Sequence, residues 1–200
     1  MGAQSAQGQL SSLQGLLDAV EDGDAATTGK YLAQGLDPNS TGPNGQTILM
    51  AASRLGRLEV VKTLLARKAD PNRRSAQGDT ALMMASLGGH LEVVKTLFAG
   101  GARLDTSGWT ALHYAAYGGS QDIIHFLILR GADKNAVAPN WDTPLLLAIR
   151  NGRTEAAKAL IEDKADLTHR GKNNETALSL AKAKGEGDLV QILVKAGAPE

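Results

Sequence analysis

The segment from Gly23 to Tyr31 comes closest to a phosphate-binding loop. It reads Gly-Asp-Ala-Ala-Thr-Thr-Gly-Lys-Tyr, and a Gly-rich loop that ends in Lys can cradle the phosphates of a nucleotide. The match fails because five residues separate the glycines where the motif has four. Tyr31 also stands where Ser or Thr would hold magnesium, and no strand pattern precedes the loop. We therefore expect no nucleotide and no other cofactor here.

The four histidines are the other groups that could act as a base or a metal ligand. They are His90, His113, His125 and His169. None has a nucleophile or a second metal ligand at a useful spacing, and the chain has no cysteine. The lack of cysteine excludes disulfides, thiolate metal sites and a cysteine nucleophile. We therefore predict no catalytic residue, no metal site and no enzyme activity.

The charge and hydropathy of the chain argue against nucleic acid and membranes as its partners. The chain carries 21 Lys and Arg against 21 Asp and Glu, so no global charge draws it to nucleic acid. Its apolar runs all fall short of the roughly 20 residues that a membrane span needs. Basic residues gather between Arg54 and Arg74, and acids between Asp18 and Asp24. We expect neither a nucleic acid nor a membrane as partner, and we expect a monomer.

One block of sequence recurs five times. It begins Thr-x-Leu, contains a small Ala, and reaches Gly nine residues after the Thr. The spacings between successive Thr residues are 33, 30, 33 and 33. Thr is a favoured first residue of a helix and Gly a favoured stop, so each block predicts a short helix. The five Thr residues are Thr47, Thr80, Thr110, Thr143 and Thr176.

A second phrase follows the block and predicts a second helix in each repeat. Leu58–Leu64 reads Leu-Glu-Val-Val-Lys-Thr-Leu and recurs letter for letter at Leu91–Leu97, with apolar residues at helical spacing. A third phrase, Ala-Asp-Pro-Asn at 69–72, closes the unit. Two short helices cannot bury their apolar faces alone, so stability must come from stacking. A small residue, such as Ala52 and its four equivalents, would let the stacked helices approach closely.

These residues resemble the ankyrin-repeat family, whose repeat of about 33 residues carries a Thr-Pro-Leu-His-x-Ala signature. The match is best at Thr110–Ala116 and at Thr143–Leu145. The resemblance implies an all-α solenoid of helix-turn-helix units with β-hairpin-like connecting loops and capping repeats at both ends. It also implies that His113 hydrogen-bonds the backbone of a neighbouring hairpin.

The repeats divide the chain into seven segments. The polar first residues are read as a tail, and the acids in the first repeat and the lysines in the last are read as polar caps. The predicted segments are a flexible tail 1–9, an N-terminal capping repeat 10–41, repeats 42–74, 75–104 (short), 105–137 and 138–170, and a C-terminal capping repeat 171–200.

Three departures from the family pattern are expected to affect the structure. The link around Arg103–Asp105 is three residues short, so its hairpin must be clipped or tilted. Lys68 and Lys164 stand where other repeats have Gly at the end of the second helix. Trp141 and Asn174 replace the hairpin-tip Gly, and a large aromatic at a tip indicates contact with a partner.

The resemblance implies a non-enzymatic module that binds a folded protein through the concave face formed by the hairpins and first helices. We expect Leu87, Trp109, Tyr117 and Trp141 to cluster there, because aromatic residues dominate interface hot spots. The alternative is that the rings pack against their own hairpins. The predicted contact residues are Leu87, Trp109, Tyr117, Trp141, Asp142, Arg150, Asn140, Ser107, Asp79, Gln77, Arg54 and Leu55.

Two finer functions remain open. Small bacterial ankyrin proteins include inhibitors, so the chain could be an immunity protein that covers the active site of a cell-wall hydrolase or secreted toxin. The alternative is a cytoplasmic adaptor or scaffold, or a host-directed effector. The small, uncharged first residues suit the start of an exported chain, which favours the periplasm slightly over the cytoplasm.

Overall fold

The computed structural model describes residues 2–42 and 44–199, with side chains described from residue 12 onward. Met1, Pro43 and Glu200, which fall in three of the predicted segments, lie outside the described residues. Within that part of the chain the regular elements are helices, and no strand is formed. They are α1 (Gly2–Asp22), α2 (Ala25–Ala33), α3 (Ile48–Arg54), α4 (Leu58–Ala66), α5 (Ala81–Gly88), α6 (Leu91–Ala99), α7 (Ala111–Gly118), α8 (Gln121–Leu129), α9 (Pro144–Arg150), α10 (Thr154–Glu162), α11 (Ala177–Lys184) and α12 (Gly187–Lys195).

The chain forms two compact units, Met1–Arg103 and Leu104–Glu200. In the first unit, α1, α3 and α5 pack side by side, while α2, α4 and α6 form a second row. In the second unit, α7, α9 and α11 pack in one row and α8, α10 and α12 in the other. The predicted all-α repeat fold of helix-turn-helix pairs is confirmed. The segment boundaries given above stay a prediction.

The N-terminus differs from the expected tail. Helix α1 begins at Gly2, so residues 2–9 are helical where the sequence indicated a flexible segment. The physical reason is composition, because Ala, Gln and Leu are good helix formers and no Pro interrupts 2–22. Polarity alone was a poor guide to secondary structure here.

Each first helix begins as predicted, at the recurring Thr. The Thr hydroxyl accepts a hydrogen bond from the backbone N–H three residues later, at 3.2 Å for Thr47 and 3.4 Å for Thr110. In α5, α7 and α11 the third helical residue returns a bond to the Thr backbone N–H, which completes a capping box. The acceptors of these return bonds are Met83, His113 and Ser179.

The recurring Ala is fully buried in every repeat, as expected of a small residue between packed helices. All five copies have no exposed surface. A larger side chain at this position would push two helices apart. The five are Ala52, Ala85, Ala115, Ala148 and Ala181.

Two lysines adopt the left-handed backbone expected from their position. Lys68 has φ 65° and Lys164 φ 62°, where the equivalent Gly131 has φ 98°. A left-handed conformation costs a residue with a Cβ about 1 kcal/mol relative to Gly. Both turns therefore store strain that the repeats with Gly avoid.

An asparagine at the end of the Ala-Asp-Pro-Asn phrase joins consecutive repeats, which the sequence analysis did not anticipate. The side-chain oxygen of Asn39 accepts from the Asp70 backbone at 2.8 Å, and Asn72 accepts from Arg103 at 2.9 Å. In the second unit, Asn135 accepts from Asp166 at 2.8 Å. Asp105 takes this place once, with a longer bond of 3.4 Å to Asp133. The recurrence of Asn is visible in the sequence, but the backbone N–H that it bonds in the next repeat is not.

The three missing residues are in the hairpin and not around Arg103–Asp105 as expected. Asp105 occupies the asparagine position, yet four residues separate it from Thr110, where seven separate Asn72 from Thr80. The other hairpins close with a backbone bond such as Ser75 N–H to the Asp79 carbonyl. In the described stretch 105–109, the Thr106 hydroxyl donates to the Trp109 carbonyl at 2.9 Å instead. The hairpin is therefore clipped, as predicted, but at a different place.

Candidate functional site: the hairpin surface of the second unit

The hairpin at residues 136–142 holds Trp141 at its tip. Trp141 N–H donates to the Ala138 carbonyl and Ala138 N–H donates to the Asp142 carbonyl, both at 2.9 Å. Pro139 is the first central residue of this turn, where Pro is favoured. Trp141 has φ 69°, as at the equivalent Gly tips, and its side chain is 60% exposed. A rigid backbone thus presents an indole ring to solvent.

An ion-pair network fixes the base of the same hairpin. Arg150 on α9 makes two bonds to the Asp142 carboxylate, at 3.0 and 3.1 Å, and a third to Glu175 at 2.7 Å. The Asn140 side chain also donates to Asp142, at 2.8 Å. The bonds to Asp142 and Glu175 raise the pKa of Arg150, and the bond to Arg150 lowers the pKa of Glu175. One guanidinium therefore ties two consecutive hairpins to α9.

Asp142 differs from the predicted role of partner contact. Its residue surface is 1% exposed, and both carboxylate oxygens accept hydrogen bonds within the fold. Its position next to an exposed tip is visible in the sequence, but the orientation of its side chain is not. The arrangement gives Asp142 a structural task, which is to hold Arg150 and Asn140 in place.

His113 carries the backbone bond that the family resemblance implied. Its Nε2 donates to the Asp142 carbonyl at 3.2 Å, while Nδ1 accepts from the Thr110 N–H at 3.2 Å. The imidazole is fully buried, and burial lowers its pKa. The neutral ring therefore links α7 to the next hairpin, and the prediction is confirmed.

The other aromatic residues of the second unit are in different environments. Trp109 is half-buried, with its ring edge-to-face against His113 at 5.5 Å and against Tyr114 at 6.5 Å. Tyr117 is 47% exposed at the end of α7. Trp109 thus packs against the first helix of its own repeat, α7, while Tyr117 and Trp141 present their rings to solvent. Ser107 is also exposed.

The predicted contact residues of the first unit lie in three settings. Arg54 lies beside a shallow cavity, Gln77 and Asp79 lie on a hairpin, and Leu55 and Leu87 lie at the ends of α3 and α5. The cavity measures about 330 Å³ and is lined by residues of α1, the first hairpin and α3, Arg54 among them. Arg54 and Gln77 are exposed, whereas Leu55, Asp79 and Leu87 are half-buried. Leu87 belongs to the first unit and the aromatic residues to the second, so their clustering stays a prediction.

Comparison with known proteins decides the family. The family model described as ankyrin repeats matches residues 16–107, 68–138 and 135–199. The chain belongs to the ankyrin-repeat family. Ankyrin repeats are generally protein–protein interaction modules.

Two relatives show how widely such repeats are used. The chain is 33% identical over 96 residues to the human transient receptor potential cation channel subfamily A member 1, which covers 48% of this chain and 9% of that protein. It is 39% identical over 93 residues to the Notch-regulated ankyrin repeat-containing protein B of Danio rerio, which covers 46% and 56%. The ankyrin chain thus spans less than two thirds of either relative.

Solved ankyrin domains share the fold over nearly the whole chain. The human ASB11 ankyrin repeat domain superposes with a TM-score of 0.85 at 25% identity, covering 92% of this chain and 84% of that one. An ankyrin repeat domain from Acinetobacter baumannii AYE gives a TM-score of 0.80 at 26% identity, covering 92% and 98%.

Two residues of the ankyrin hairpin surface, His169 and Val137, were not predicted to belong to it. His169 donates from Nε2 to the Trp141 carbonyl at 3.0 Å, which connects consecutive hairpins at the tip. Val137 is 46% exposed on the same hairpin as Trp141. The sequence indicates that position 137 is exposed, because the equivalent residues of two other repeats are charged, Arg74 and Arg170.

Among the described residues, neither a cluster of metal ligands nor a membrane-spanning helix is present. Over those residues, no group of three or more His, Cys, Asp and Glu is placed to hold a metal ion. None of the helices among them is both long and apolar enough to cross a bilayer.

Proposed function

We propose that this ankyrin-repeat chain binds another protein through the hairpin surface of its second unit, defined by Tyr117, Asn140, Trp141 and Arg150. The observation that carries the proposal is the exposed indole of Trp141 on a hydrogen-bonded hairpin tip. Tyr, Trp and Arg supply most interface hot spots, because they bury a large area with few rotors to freeze. The fixed tip also means that little conformational entropy is lost on binding.

Polar and charged residues surround the exposed Trp141 on this surface. The side chain of Arg150 is about a third exposed although its guanidinium makes three bonds to carboxylates. Asn140 and Asn173 are exposed beside it. An apolar centre with a polar rim is the usual anatomy of a protein interface.

Affinity capture with the full chain, followed by mass spectrometry, tests the proposal. Each captured protein is titrated with wild type and with Trp141→Ala/Tyr117→Ala. We expect the double variant to weaken binding by about 2 kcal/mol or more. Leu129→Ala is the matched control, because Leu129 is an exposed apolar residue at the end of α8. Equal losses in both variants, or none in either, would contradict the proposal.

The finer function that we propose is inhibition, with the partner an enzyme such as a cell-wall hydrolase or secreted toxin whose active site is covered. A pre-organised surface with a protruding aromatic supports it. The captured enzyme should lose activity on addition of an equimolar amount of the chain, and recovery should favour a periplasmic extract over a cytoplasmic one. Undiminished activity, or recovery only of cytoplasmic signalling proteins, would instead support the adaptor, scaffold or effector alternative.

A further inference from the structure

The tip of the 136–142 hairpin carries a side chain that the fold does not explain. A left-handed backbone is unfavourable for Trp, and equivalent tips use Gly45, Gly78 and Gly108 at φ 74° to 89°. Trp141 is 60% exposed, so most of its surface makes no contact within the chain. Strained residues that packing does not explain are often found at binding sites. The strain and the exposure of Trp141 together indicate that a binding partner covers its ring.

Val137 and Trp141 occupy positions that hold an arginine and a glycine in another hairpin. In two of the other hairpins the equivalent of Val137 is an arginine that bonds the tip, as Arg74 does to the Gly78 carbonyl at 2.9 Å. A Cβ added at Gly78 would lie 3.8 Å from the Arg74 guanidinium. The same two positions hold Val137 and Trp141 in the 136–142 hairpin, so an apolar pair replaces an arginine and a glycine.

An exposed apolar row runs along this hairpin. Val137, Pro139 and Trp141 alternate in sequence and are all exposed. The clipped link 106–109 has no equivalent of Val137, since the three missing residues fall at that point of the repeat. Val137, Pro139 and Trp141 lie in a hairpin closed by a β-turn at 138–141 and not in a strand, so the apolar row is short and narrow. A short segment of a partner covers such a row better than a broad folded surface does.

The exposed charges at the tip of the next hairpin are positive. Arg170 and Lys172 lie exposed on the next hairpin, which is joined to the first through His169 and the Trp141 carbonyl. The acids nearest in sequence to the two tips are Asp142 and Glu175, and both are committed to Arg150. Asp133 and Asp166 are exposed at the other end of the row, where the Asp166 N–H donates to the Asn135 side chain, two residues before Val137. An acidic segment would therefore meet complementary charge at the tip end of the apolar row.

We propose that Val137, Pro139 and Trp141 form an anchor for a short, acidic segment of another protein that carries large apolar residues. This inference rests on the proposed function and adds the chemistry of the partner. The partner's apolar side chains cover the indole and Val137, while its carboxylates face Lys172 and Arg170.

A phage-displayed library of random short peptides, panned on the full chain and depleted on Trp141→Gly, tests the inference. Enriched peptides should combine Asp and Glu with Leu, Ile or Phe. A fluorescein-labelled synthetic copy should bind wild type and lose about tenfold or more affinity with Trp141→Gly. Lys172→Glu should weaken binding and reduce its salt dependence. Asn174→Gly, the equivalent tip change one repeat later, is the control and should leave affinity unchanged.

Thermal unfolding separates recognition from folding. Gly is the residue of the other tips, so Trp141→Gly should raise the unfolding midpoint while it lowers affinity. A lower midpoint would show that the ring supports the fold and would overturn the inference. Failure to enrich any peptide, enrichment of basic peptides, or tighter binding of single-stranded DNA would overturn it as well.

The same variants distinguish failure of the anchor from failure of the proposed function. If captured partners depend on Tyr117 but not on Trp141→Gly, the proposed function stands and the anchor is wrong. If no captured protein depends on Tyr117 or Trp141, the proposed function itself fails.

Discussion

At the scale of single residues, backbone strain at Lys68 and Lys164 is the clearest source of lost stability. Both have φ above 60°, where a Cβ is unfavourable and Gly is not. We predict that Lys68→Gly and Lys164→Gly each raise the free energy of unfolding by about 0.5–1 kcal/mol, measured by urea denaturation. The gain is reduced in part by the greater freedom of Gly in the unfolded chain.

Lys62→Gly is the matched control for this prediction. Lys62 lies within α4 and is exposed, so the same change of residue removes helix propensity and should cost about 1 kcal/mol. If all three substitutions destabilise the chain, the strain at Lys68 and Lys164 has been overstated.

The buried His113 makes the protein sensitive to weak acid. Burial lowers the pKa of His113 in the folded state, so the unfolded chain binds a proton first as pH falls. The stabilisation by the neutral ring is therefore complete above the ordinary pKa of about 6.5 and decreases as pH falls below it, towards the folded-state value. We expect unfolding midpoints to drop from pH 7 to pH 5, with a smaller drop in His113→Gln. Equal slopes in both proteins would contradict the assignment.

At the scale of elements, the network around Arg150 connects the 136–142 hairpin, α9 and the 169–175 hairpin. Asp142→Asn keeps the shape but removes the charge from a nearly inaccessible site. Because bonds to charged groups contribute about 1.5–3 kcal/mol, we expect a loss of roughly 2 kcal/mol in the free energy of unfolding. Glu155→Gln, which breaks the exposed pair with Lys158 on α10, is the control and should have no measurable effect.

At the scale of the whole molecule, the repeats form two compact units, and in a repeat array stability is approximately a sum over repeats and their nearest neighbours. Leu97 on α6 and Leu127 on α8 are equivalent, fully buried leucines in different units. Leu97→Ala and Leu127→Ala should each cost about 2–5 kcal/mol locally. We expect each variant to reduce native-state hydrogen-exchange protection mainly in its own unit. A uniform reduction across both would show that the chain unfolds as one cooperative body.

Sequence reasoning succeeded where the decisive interaction is local. Thr110 caps α7 through a backbone group three residues away, and the left-handed turns at Lys68 and Lys164 were visible because Gly fills the same place in other repeats. It failed where the partner comes from a distant segment. Asn72 bonds a backbone group 31 residues further on, and the Arg150 that accounts for the burial of Asp142 lies on the following helix. Such pairings follow from the stacking of repeats and cannot be inferred from the residues adjacent in sequence.

The sequence by itself determined that the chain is an array of helix pairs, because a period of 33 residues with Thr, Ala and Gly at fixed places leaves few other ways to bury the apolar faces. Only the tertiary structure decided which residues of the hairpin surface are available to a partner. Asp142 lies buried against Arg150 and Trp109 packs on α7, whereas Trp141 and Val137 remain exposed. The reason is that exposure depends on what the next repeat places against a side chain, and that is set by packing.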